Sequence, residues 1–167
     1  MGLKPINNVV DVSNYVCFAT AQPIHTFDFG RIGGGRVVVR KAKRGETLAD
    51  LDGRRLELSA EMLVIADETR PVALAGIIGG QTSGITEATR DVFIESANFD
   101  PASIRKTAKK LGLSTDASYR FERGADIGFA PRAALMAASL LCQMGGKASR
   151  GLVDCFPRPP KPRTVRL

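Results

Sequence analysis

One histidine, no tryptophan and three cysteines in 167 residues remove several kinds of chemistry at once. A single histidine, His25, cannot build an HExxH zinc site or a histidine cluster. Cys17, Cys142 and Cys155 stand far apart and outside any CxxC or Cys/His ligand spacing, so they read as buried reduced thiols, with no metal site and no disulfide framework. No apolar run approaches the ~18 to 20 residues of a membrane helix. The opening MGLKPINN lacks the basic-then-apolar order of a signal peptide. A cytoplasmic protein with no membrane partner is therefore expected. The familiar catalytic signatures are missing too: no GxGxxG follows a strand, no Gly-rich loop ends in Gly-Lys-Ser/Thr, no GxSxG elbow occurs, and no Asp/Asn-rich calcium loop is present.

What is present is globular. Hydrophobic residues make up 44% and charged residues 25%, and the length suits one core. Lysine and arginine outnumber acids 24 to 17, a net charge of +7, and six basic residues with no acid lie between Arg31 and Arg44. Such an excess either solvates the surface or meets a nucleic acid.

Val9, Val12 and Val16 share a helical stripe in the opening segment, and QPIHTFDFGRIGGG, dense in Pro, Gly and Asp, reads as an irregular connection. RVVVRKA reads as a strand. Asp52-Gly53 between alternating segments predicts a hairpin with a type I′ turn. MLVIAD (62–67), PVALAGII (71–78) and DVFIES (91–96) read as further strands. From Asp100, an Asp cap, Pro101 at the first helical position, an apolar face of Ile104, Ala108 and Leu111, and Gly112 as the stop predict a helix. A last core helix runs from about Phe129 to Met144. PRPPKPRTVRL reads as a stiff proline-rich linker over 157–167 leading towards a missing downstream domain, so the chain resembles an excised piece.

Three polar spots stand out: His25 in QPIHTFD, Glu95 in FIESANF, and the tract STDASYRFERGAD (114–126). Alternation puts Glu95 on one strand face with Phe93 and Ala97. A carboxylate on such an apolar face either reaches solvent or an arginine at the strand end, or lines a pocket and accepts a specific hydrogen bond. His25 either packs or acts, and Arg120, Glu122 and Arg123 form either a salt-bridged surface or part of a site.

NNVVDVSNYV, QPIHTFD, GETLADLDGRRLELS, LVIADETRPVALAGIIGG and FIESANFDPASIRKTAKKLGLSTDASYRFERGAD, in that order, resemble the beta subunit of bacterial phenylalanyl-tRNA synthetases over roughly residues 4–154. The part matched is the central editing region, two intertwined modules over 1–156. The resemblance implies an α+β fold, a three-layer β/β/α sandwich with mixed strands and about three helices. It implies hydrolysis of tyrosine mischarged onto tRNA(Phe), whose 3′ end would be one partner and the synthetase alpha subunit, in a heterotetramer, another. ATP and magnesium belong to the complete enzyme and are not expected in this segment.

By the same resemblance, His25 and Thr115 stand at catalytic positions. Glu95 would recognise the tyrosine hydroxyl, Gly79 would leave room for substrate, Ala117 and Phe93 would wall the ring, and Lys4, where relatives carry arginine, would contact tRNA. A pocket built for phenylalanine rejects an added hydroxyl only ~10²-fold, whereas one that hydrogen-bonds the hydroxyl rejects its absence by ~10⁴ to 10⁵, so proofreading belongs in a second, polar-reading site. Rival readings are a non-catalytic scaffold offering a basic face to tRNA, and a free-standing hydrolase.

Overall fold

A computed structural model describes residues 2–157 and Pro159. The expected linker lies outside the described residues apart from its first prolines. The elements in order are α1 (Asn8–Thr20), β1 (Ile24–Asp28), β2 (Val38–Lys41), β3 (Thr47–Ala49), β4 (Arg55–Glu57), β5 (Leu63–Ala66), β6 (Pro71–Leu74), β7 (Ile78–Gly79), β8 (Val92–Ser96), α2 (Pro101–Leu111), α3 (Asp116–Phe121) and α4 (Ala130–Gln143), joined by short 3₁₀ turns. The fold class is α+β, as expected. All strand pairs among the described residues are antiparallel, in a four-stranded sheet ordered β2-β5-β6-β7 and two ribbons, β1-β8 and β3-β4.

The β1-β8 ribbon is the middle of the molecule because both its faces are apolar. On one side Ile24 and Ile94 pack against Val12 and Val16 of α1 and Ala133 and Ala137 of α4. On the other, fully buried Phe27 and half-buried Phe93 meet the main core, built from Val64, Ile65, Val72 and Leu74 of the sheet. The layers are therefore helix pair, ribbon and sheet. Gln22, 1% exposed, donates from Nε2 to the Ala97 carbonyl at 2.8 Å and so ties the start of the ribbon to its end. Ser96 Oγ donates to the Ala130 carbonyl at 2.7 Å and Asn98 Nδ2 to the Ala125 carbonyl at 3.0 Å, which fixes where α4 begins.

Local chemistry explains the helices. Asn7 and Asp100 accept the N–H groups of Val10 and Ser103, each cap being worth ~1 kcal/mol. Pro101 starts α2 and Gly112, at φ +64°, ends it.

Several expectations need correction. QPIHTFD is no irregular connection: Ile24–Asp28 is a strand, paired with β8 far along the chain. PVALAGII is not one strand, because the chain turns between Leu74 and Ile78 with Gly76 at φ +68°. The hairpin at Asp52-Gly53 has a longer loop than a two-residue type I′ turn. The Asp50 carboxylate there accepts from the Asp52 and Arg54 N–H groups at 3.0 and 2.8 Å, which holds a wider turn in place. Of the three thiols only Cys17 is buried; Cys142 and Cys155 are exposed.

Candidate functional site

The ribbon's register decides which polar groups meet. His25 lies directly opposite Glu95, and Phe27 opposite Phe93. In an antiparallel pair opposite residues share a face, so these four side chains form one surface, turned towards the sheet and away from α1 and α4. His25 packs edge-on to Phe27 with ring centroids 4.4 Å apart, and Phe93 lies 6.1 Å from Phe27. Strand alternation put Glu95 and Phe93 on one face, and the register with β1 sets His25 beside them.

Neither polar member of the pair is satisfied by the protein. Among the described residues, no hydrogen bond or ion pair reaches the His25 ring or the Glu95 carboxyl, although both are only half-buried. Burial pushes the Glu95 carboxyl from its ordinary 4.5 up to about 7 and the His25 imidazole from 6.5 down to about 4. At neutral pH, therefore, His25 is uncharged and Glu95 is poised between acid and carboxylate, able to donate or accept.

These shifts give opposite pH dependences. Folded Glu95 holds its proton more tightly than unfolded Glu95, so its contribution to stability is full below pH 4.5 and is lost as pH rises to about 7. Folded His25 holds its proton less tightly, so stability rises with pH from about 4 to 6.5. The two slopes oppose each other. Glu95→Gln is expected to unmask a rise in urea midpoint across the histidine window, and His25→Gln a fall across the glutamate window. Variants with the same slope as the parent chain would show that neither group is desolvated.

Gly79 on β7 faces the His25 member of this pair. A Cβ there would touch the His25 ring, 2.7 Å from Nε2, and lie 3.1 Å from Leu51 Cδ1. In this structure the imidazole occupies the room that the missing side chain leaves, so the absence of a Cβ at Gly79 is what lets His25 sit there. Thr115 is the cap of α3. Its hydroxyl donates to the Ile77 carbonyl at 2.7 Å and accepts from the Ser118 N–H at 3.0 Å. These bonds tie the start of α3 to the residue just before β7. Ala117, one residue into α3, is partly buried against the main core. Lys4 lies exposed in the segment before α1 and forms no hydrogen bond or ion pair among the described residues.

Sequence reasoning missed Ile77, whose carbonyl holds Thr115, and Leu51, whose side chain flanks Gly79. Neither has a sequence signal, since one acts through its backbone and the other sits in a turn. Phe27 was legible: alternation in IHTFD puts it beside His25 once that segment is taken as a strand. Among the described residues no three His, Cys, Asp or Glu side chains converge to hold a metal. No described helix is long and apolar enough to cross a membrane.

Comparison with known proteins shows the family. The chain is 48% identical over 167 residues to the phenylalanine–tRNA ligase beta subunit of Moorella thermoacetica, covering 99% of this chain and 21% of that protein. The beta subunits of Carboxydothermus hydrogenoformans and Aquifex aeolicus are each 46% identical, again with 99% of this chain and 21% of the relative covered. The chain thus spans about a fifth of the length of the curated relatives it matches. A model of the B3/4 domain matches residues 1–146, and the chain belongs to the B3/4 domain family.

Proposed function

We propose that this chain forms the proofreading pocket of a phenylalanine–tRNA ligase beta subunit, where tyrosine wrongly esterified to tRNA(Phe) is removed by hydrolysis. The observation that carries the reading is Glu95: a carboxyl on an aromatic face, beside Phe93, with no protein partner. A phenol is the group that supplies one. Tyrosine's ring would lie against Phe93 and Ala117 with its hydroxyl at Glu95, whereas phenylalanine would leave that carboxyl desolvated and unpaired, at a cost of ~1 to 3 kcal/mol. The reader therefore penalises the correct amino acid and retains the wrong one.

The reaction is acyl–oxygen cleavage. A water oxygen attacks the ester carbonyl, the bond from that carbon to the ribose oxygen breaks, and a proton ends on the ribose, leaving free tyrosine and an uncharged tRNA end. In this reading uncharged His25 orients the water or the ribose, and a neighbouring ribose hydroxyl assists the proton transfer. The attacking oxygen in this reading is that of water, while the Thr115 hydroxyl is bonded to the Ile77 carbonyl. Positioning supplies most of the rate. The remainder of the ligase, with its alpha subunit and its cytoplasmic tRNA supply, delivers the substrate.

Ala117→Trp in the full ligase tests this. The bulky ring is expected to plug the pocket, so that tyrosyl-tRNA(Phe) accumulates while charging with phenylalanine proceeds at its usual rate. Undiminished tyrosyl-tRNA hydrolysis would place the pocket elsewhere.

A further inference from the structure

A second polar feature lies outside the Glu95 face. Between the end of β2, the Ser59–Met62 turn and the outer side of α2 is a hollow of about 480 Å³. Three ammonium groups converge on its rim. Lys41 Nζ donates to the Glu61 carbonyl at 2.6 Å, Lys106 Nζ pairs with the Glu61 carboxylate at 2.7 Å, and Lys110 Nζ donates to Ser59 Oγ at 3.2 Å. The Lys106 hydrogen bond, followed by the fields of Lys106, Lys110 and Lys41, holds the Glu61 carboxyl below its ordinary range despite its small desolvation. Three cations against one carboxylate leave the hollow at +2.

We propose that this hollow is a docking site for the phosphates of an RNA backbone, engaged by Lys41, Lys106 and Lys110. Lysine is a point charge on a flexible stem, suited to phosphates, whose charge has no fixed direction. Ser59, Ser103 and Thr107 on the walls add hydroxyls that can donate to phosphate oxygens. No arginine, asparagine, glutamine or aromatic side chain lines the hollow, so it reads the backbone and not the bases. The absence of an exposed large apolar group on its rim argues against a lipid surface, which such a patch would need for insertion. Lys106 and Lys110 stand one helical turn apart, about 6 Å, and exposed Lys109 and Arg105 extend the charge along α2. The choice of RNA over another polyanion rests on the proofreading function proposed above; the charge geometry does not.

The test is fluorescence anisotropy of this chain with a labelled single-stranded RNA of mixed sequence across a salt series. Lys41→Gln/Lys106→Gln/Lys110→Gln is compared with Arg54→Gln/Arg55→Gln/Lys147→Gln, which removes the same charge from exposed positions elsewhere. Single-strand binding falls with log salt by about 0.7 per phosphate neutralised, so the first variant is expected to lower the slope by about 2 and weaken low-salt binding about tenfold. The second is expected to leave the slope near that of the parent chain. Equal losses in both variants, an unchanged slope in the first, or binding to phosphatidylserine vesicles in preference to RNA would overturn the proposal. Discrimination of free tyrosine from phenylalanine, measured on the same lysine variant, reports on the Glu95 pocket alone, so failure of the docking site and failure of the pocket are told apart.

Discussion

Replacing Glu95 with alanine in the full ligase is expected to erase most of the preference for hydrolysing tyrosyl-tRNA(Phe) over phenylalanyl-tRNA(Phe). A hydrogen bond from a phenol to a carboxyl of mixed charge is worth ~1.5 to 3 kcal/mol, so the ratio of the two deacylation rates should fall roughly 10- to 100-fold. Glu95→Gln, which still accepts a hydrogen bond, should fall between. The stability readout separates this reader from a structural carboxylate. No guanidinium or ammonium pairs with Glu95, and its burial opposes the charged form, so truncation strands no buried cation. The melting temperature of Glu95→Gln is accordingly expected to hold or to rise at neutral pH. A drop of several degrees with unchanged discrimination would make Glu95 part of the scaffold instead.

The largest effect on stability is expected at Gly76. This residue turns the chain between β6 and β7 at φ +68°, a conformation costing ~1 to 2 kcal/mol for a residue with a Cβ. An added Cβ would also lie 2.7 Å from Phe99 Cδ2, 2.8 Å from Ile104 Cδ1 and 3.1 Å from Phe121 Cδ2. Those side chains are buried, so relieving the overlap costs a further ~1 to 3 kcal/mol. Gly76→Ala should therefore lose roughly 2 to 5 kcal/mol, a large share of the ~5 to 15 kcal/mol that holds a domain together. Urea unfolding followed by circular dichroism measures it. Gly112 is the control: it has a similar φ of +64° with no atom within 4 Å of its Cβ position, so Gly112→Ala should show the backbone cost alone. Equal losses at the two sites would mean that the packing around Gly76 is looser than the structure shows. The consequence reaches the site, because the next residue, Ile77, accepts the Thr115 hydroxyl that clamps α3.

The sequence made some of this legible and hid the rest for physical reasons. Local signals read correctly: the Asp100-Pro101 start and Gly112 end of α2, and the alternation that puts Glu95 beside Phe93, are each set within a few residues. Non-local ones did not. β1 has five residues between Pro23 and a glycine-rich turn, and it becomes a strand only because β8, nearly seventy residues away, supplies its hydrogen bonds. α3, with six residues, is too short for a helical period to declare itself. PVALAGII reads as one apolar run because a buried turn is as hydrophobic as the strands it joins. The pairing of His25 with Glu95 and the seating of the imidazole on Gly79 both depend on that hidden strand, so the resemblance could name these residues without giving their arrangement.

The most direct measurement is a crystal structure of this chain soaked with tyrosine. The account predicts density for the ring along Phe93 and Ala117, with the phenolic oxygen within hydrogen-bonding distance of the Glu95 carboxyl, and no comparable density with phenylalanine. Tyrosine bound away from that carboxyl, or both amino acids bound alike, would contradict it.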